Sequence, residues 1–190
     1  TGSDRGHRSL NAYNADPPYI LETERLRLRE LQPDDSDFIV RLVNSPGWLR
    51  FIGDRNIRNR AQGLTFLEEG PLKSYRELGF GMYLVETKAG GNAAGVCGIH
   101  KRPGLDCPDL GFAFLPGFSG QGFAYEIASA TLRFVHDELR IRKIYAIVLP
   151  ENERSVRLLQ KLGMKPDGQY VSPAGETLLR FMSERPVTRP

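Results

Sequence analysis

Residues 115 to 134 read LPGFSGQGFAYEIASATLRF, a glycine-rich turn that runs without a break into a long amphipathic stretch. This constrains the fold more than anything else in the chain. A helix N-terminus leaves unpaired N–H groups and a partial positive charge, so a turn stripped of side chains at that point receives an anion, phosphate above all. Gly117, Gly120 and Gly122 would let an oxygen reach the backbone; the same residues also suit a plain strand-to-helix turn that needs positive φ. Two phosphate motifs are excluded. A dinucleotide fingerprint beginning at Gly120 would need glycine where Tyr125 stands, and no Gly-Lys-Ser/Thr follows to make a P-loop.

Periodicity places the turn within an alternation of elements. Residues 25 to 31 alternate Leu26 and Leu28 with arginines, the pattern of a half-buried strand. Pro33 and three aspartates precede Phe38, Ile39, Leu42 and Val43, a helix start with acids where the dipole favours them. Residues 44 to 56 carry Pro46, Gly47 and Gly53 and read as a loop, and one helix is expected across 60 to 77. Three strands follow in series, at 79–87, 93–101 and 109–115, with KAGGN turning between the first two. After the glycine turn comes a helix over 122–138 with Ile127, Thr131, Leu132 and Val135 on one stripe. A strand at 143–149, a helix capped by Asn152 and closed by Gly163, and weak strands at 165–171 and 176–183 complete the pattern. The order predicts one α+β (mixed α/β) domain, with helices on both faces of a mostly antiparallel mixed sheet.

Composition narrows the class. With 190 residues, 40% hydrophobic and 26% charged, the chain suits a single soluble domain, and no apolar run nears the roughly 20 residues of a membrane span. The net charge of +3 is slight and acids interrupt the basic clusters, which points to neither a nucleic-acid nor a membrane partner. Cys97, Cys107, His7, His100 and His136 lack metal-ligand spacing, so no metal is expected and two reduced core thiols are. The expected compartment is the cytoplasm. Residues 1–19 read as a disordered or vector-derived segment without a signal peptide's apolar region, 20–185 as the domain and 186–190 as a tail.

Residues 117 to 124, GFSGQGFA, resemble the Q/R-x-x-G-x-G/A signature of the GNAT superfamily of N-acetyltransferases, in the branch typified by the ribosomal-protein alanine acetyltransferases. TERLRLREL, NSPGWLRFIGDR, DLGFAFLP, GFAYE and NERSVRLLQKLGM support the likeness, in register from about residue 20 to about 182. The resemblance implies a GNAT-type domain that moves acetyl from acetyl-CoA to a primary amine, as a monomer or homodimer. Two positions depart from the pattern. Gly117 stands where the signature has Gln or Arg, and Leu159 stands where peptide-acetylating relatives place a tyrosine proton donor.

The resemblance assigns the diphosphate grip to the backbone at Gly117, Ser119, Gly120, Gly122, Phe123 and Ala124, and pairing with the pantetheine arm to Phe114 and Leu115. Asn152 and Ser155 share one helical face, so Ser155 could donate a hydrogen bond to the departing thiolate with Asn152 beside it. Both also suit ordinary capping positions. Asp109 and His100 are rival general bases, the histidine having the better intrinsic pKa. The resemblance puts the acceptor groove beside Trp48, Phe51 and Asp54; the aromatics could equally be core anchors, and Asp54 would suit a cationic amine. With no evident base dyad, an amine of low pKa is favoured over lysine. The rival readings are a small-molecule acceptor (polyamine, amino sugar or xenobiotic) and a catalytically silent CoA-binding module.

Overall fold

The computed structural model describes residues 18–186. All but the first residue of the expected tail, and all but the last two residues of the expected N-terminal segment, lie outside them. Tyr19 already belongs to a strand, so the domain begins slightly earlier than residue 20.

Eight strands form one sheet: β1 (Tyr19–Glu22), β2 (Leu26–Glu30), β3 (Met82–Thr87), β4 (Ala93–His100), β5 (Asp109–Phe114), β6 (Lys143–Val148), β7 (Lys165–Val171) and β8 (Thr177–Glu184), ordered β1-β2-β3-β4-β5-β6-β8-β7. Every pairing is antiparallel except β5 with β6. The helices are α1 (Ser36–Val43), α2 (Pro46–Phe51), α3 (Arg60–Glu69), α4 (Pro71–Leu78), α5 (Phe123–Asp137) and α6 (Glu153–Lys161).

Both faces of the sheet are covered, which is why β3 is apolar at successive positions instead of alternating. Tyr83 and Val85 join a core with Cys97, Ile99, Ile127, Ala128, Leu132 and Val135 of α5, and Leu159 of α6. Met82 and Leu84 face the opposite way, into a core with Val96, Phe38, Ile39 and Leu42 of α1, and Leu67 of α3. Arg29 ties the turn before α1 to the sheet, reaching Glu86 at 2.7 Å and Asp35 at 2.9 Å.

Three local expectations are corrected. The 44–56 segment is not all loop: Pro46 occupies the first turn of α2, where its fixed φ suits a helix and its missing N–H costs nothing. The single helix expected over 60–77 is two, because Pro71 cannot donate within a continuous helix and starts α4 after Gly70. Of the two thiols only Cys97 is core; Cys107 is half-buried.

One joint positions everything that follows. β5 and β6 meet only at Asp109 and Tyr145, with the Tyr145 N–H donating to the Pro108 carbonyl at 2.9 Å. Beyond that bridge the ladder stops, although both strands continue to Phe114 and Val148.

Candidate active site

The gap between β5 and β6 is lined by backbone. Along β5 the register with β4 pairs Val96 with Ala113 and Gly98 with Gly111, and the Leu115 N–H donates to the Ala94 carbonyl at 2.9 Å. Alternation then turns the N–H and C=O groups of Phe112 and Phe114 toward the gap. Phe114 therefore stays a candidate for pairing with an extended ligand. Leu115 does not, because its N–H is already committed, and Phe112, overlooked in the sequence, takes its place.

At the open end of the gap stands the glycine turn. Pro116–Phe118 makes a 3₁₀ turn in which the Phe118 N–H donates to Leu115 at 3.0 Å and the Ser119 N–H to Pro116 at 3.2 Å. Ser119 thus has no spare backbone donor. Gly120 and Gly122 have φ of 75° and 78°, and Gly122 caps α5. The N–H groups from Gly120 through Tyr125 have no hydrogen-bond partner among the described residues, and the first helical bond is from Glu126 to Gly122 at 3.1 Å. Six adjacent unpaired donors, Phe123 and Ala124 among them, fit a diphosphate. Gly117 offers open space, and its carbonyl accepts from Gln121 Nε2 at 3.1 Å.

Across the gap, α6 starts just past the end of β6. Asn152 caps it, its side chain accepting from the Ser155 N–H at 3.3 Å, so the capping reading holds for that oxygen. The half-buried Ser155 hydroxyl has no partner among the described residues. Leu159 is only 1% exposed and packs into the core below.

His100 and Asp109 lie at the closed end as cross-strand partners, hence on one face of the sheet. Asp109 is 1% exposed, and both its oxygens accept from Arg102 Nε, at 2.9 and 3.0 Å. Burial pushes its carboxyl up to about 6 against the pull of Arg102. Burial pushes His100 the other way, to about 4, aided by the guanidinium groups of Arg102 and Arg55. The order of basicity is therefore the reverse of the intrinsic one. The imidazole lies over Gly111, where a Cβ would meet its Cδ2 at 3.4 Å and the Met82 sulfur at 3.6 Å. Neither ring nitrogen has a hydrogen-bond partner among the described residues.

The expected acceptor wall divides. Trp48 packs against the second core, its Nε1 buried and without a partner among the described residues, and Phe51 lies under Arg50 at 4.8 Å. Asp54 is held by Arg58 at 2.5 and 2.9 Å and by the Asn56 N–H at 2.8 Å, contacts that keep its carboxyl below the usual range. Its charge is thus shared with Arg58, on a side chain still 46% exposed. No group of three or more potential metal ligands occurs among the described residues, and no helix there is long and apolar enough to cross a membrane.

A parallel strand pair that parts after one bridge, with a bare turn and helix start at its mouth, agrees with the family comparison: the acetyltransferase (GNAT) domain model matches residues 25–165. The chain belongs to the GNAT acetyltransferase family. This acetyltransferase is 27% identical over 152 residues to the uncharacterized N-acetyltransferase YoaA of Bacillus subtilis, covering 78% of this chain and 84% of that one. Its fold resembles the ribosomal-protein-S5-alanine acetyltransferase of Vibrio fischeri, with a TM-score of 0.75 at 15% identity over 90% of this chain and 98% of that one. It also resembles a spermidine N-acetyltransferase chimera from Vibrio cholerae, with a TM-score of 0.69 at 20% identity over 84% and 95%. At such identities the solved structures establish the fold alone.

Proposed function

We propose that this acetyltransferase takes acetyl from acetyl-CoA and passes it, by direct attack in a ternary complex, to a primary amine of low pKa, a peptide or protein N-terminal α-amine. Acetyl-CoA supplies the activated acetyl carbon when bound. The chain supplies the rest: unpaired N–H groups for the diphosphate, Phe112 and Phe114 N–H groups for the donor arm and thioester oxygen, and the Ser155 hydroxyl as donor to the departing sulfur.

The acceptor rests on one observation, the lack among the described residues of a base both strong and accessible. Asp109 is sealed against Arg102, and His100 is held neutral down to about 4, so it can orient an amine N–H but removes a proton poorly. Reaching the neutral amine at pH 7 costs about 4.6 kcal/mol for lysine and about 1 kcal/mol for an α-amine. Charge weighs against a polyamine acceptor, because Arg55 and Arg102 add positive charge near His100 and Asp54 is shared with Arg58.

A peptide carrying a free α-amine and an internal lysine, incubated with acetyl-CoA at pH 7 and read by mass spectrometry, tests this. Labelling of the α-amine at least about tenfold faster is expected. Preferential lysine labelling would overturn the acceptor, and no thiol release with any amine would overturn the activity.

A further inference from the structure

We propose that Arg25, immediately before β2, shapes the glycine turn and completes its grip on the coenzyme A diphosphate. The inference rests on the acetyl-CoA reading above and names a residue remote in sequence from the turn.

The turn lacks a cation of its own, since Gly117 stands where the family signature carries Gln or Arg. Arg25 arrives from the other end of the chain and uses its guanidinium on three sides. Nη1 donates to the Gln121 carbonyl at 2.9 Å, inside the turn. Nε donates to Glu126 Oε2 at 2.7 Å while the Arg25 backbone N–H reaches Oε1 at 2.9 Å. The plane packs on Phe123, 4.5 Å from the ring centroid. Nη2 is left over: it has no partner among the described residues and lies 3.4 Å from where a Cβ on Gly122 would stand. One donor-rich fork therefore fixes the two residues that flank Gly122 and leaves a charged donor beside Gly122, itself within the row of unpaired N–H groups.

Charge gives the arrangement its purpose. Glu126 sits in the first turn of α5, where its carboxylate suits the helix dipole but would repel a phosphate. Arg25 and the Thr23 hydroxyl, at 2.6 Å from Oε1, turn that carboxylate away and cover it. Lys88 and Glu24 join Arg25 around the adjoining cleft of about 680 Å³, which Gly117, Gln121 and Phe123 also line.

A purely structural clamp between the β1–β2 turn and α5 would use the same contacts, and the donor's diphosphate separates the two roles. The experiment compares acetyl-CoA with S-acetyl-pantetheine, which has the same thioester and no diphosphate. In Arg25→Ala, kcat/KM for acetyl-CoA is expected to fall about 10- to 100-fold, chiefly through KM, and that for S-acetyl-pantetheine by less than about threefold. Arg25→Lys should recover only part of the loss, because one ammonium cannot reach Gln121, Glu126 and a phosphate together. Equal losses with both donors would overturn the proposal and leave Arg25 a clamp. If the alanine variant does not fold, the lysine variant decides alone, an unchanged donor preference overturning the proposal. A parent enzyme that turned over neither donor would overturn the acetyl-CoA reading itself.

Discussion

Ser155 carries the residue-scale argument, because its hydroxyl is free while its own N–H is spent on the Asn152 cap. A hydrogen bond to sulfur strengthens as negative charge gathers there, so it stabilises the transition state more than the bound thioester. Ser155→Ala should lower kcat about 10- to 100-fold with little change in KM for acetyl-CoA, and Ser155→Cys should recover part of it. Steady-state kinetics decide: a change confined to KM would make Ser155 a positioning group, and an earlier melt alone would make it a capping residue. Local spacing placed Asn152 at a helix start with Ser155 on its face, and the glycines in a turn; the roles expected of them came from the family resemblance. Spacing could not give Arg25, whose partners lie 96 and 101 positions away, nor the engagement of Asp54 by Arg58. Alternation along β5 did contain the signal for Phe112, but only once the β4 register was known.

At the scale of elements, the link from β5 to α5 is the most demanding, needing positive φ at Gly120 and Gly122 within three residues. Gly122→Glu would put a side chain against Arg25 Nη2 and a negative charge at the helix mouth, besides straining φ by about 1 to 2 kcal/mol. Calorimetric titration should show coenzyme A binding lost, while melting falls by only about 2 to 8 °C. Binding that persists would place the phosphate site elsewhere. Most elements here were legible from period and punctuation, α5 most fully: Ile127, Thr131, Leu132 and Val135 all lie on its buried stripe. The failures were equally physical. β1 is four residues long with a register shift and half-buried side chains, too short to show a period, and Pro71 splits a pattern that looks continuous by hydrophobicity.

For the whole molecule, stability against pH should reflect two opposed neighbours. Asp109 titrates near 6 in the fold and near about 3.9 unfolded, so its contribution is full below about 3.9 and is lost as pH rises through 6. His100 titrates near 4 in the fold and near about 6.5 unfolded, so its contribution is present above about 6.5 and is lost as pH falls toward 4. Each is worth on the order of 3 kcal/mol, and between pH 4 and 6.5 they offset. Urea unfolding should therefore show Asp109→Asn losing stability on acidification relative to the parent, and His100→Asn gaining it. Parallel slopes in the two variants would refute the assignment. Neither shift was legible in the sequence, because burial against Arg102 and over Gly111 exists only in the assembled sheet. The single β5–β6 bridge is a property of that assembly too, and it has a mechanical meaning. It makes the sheet two boards, β1 to β5 and β6 to β7, joined along their shared border at one point. Past that bridge no ladder bond spans the slot, so its width is set by the core beneath, where Ile127 and Leu132 of α5 share one cluster with Ile99 of β4 and Ile144 and Val148 of β6. Asp109, whose carboxylate burial makes costly to charge, sits at that one joint.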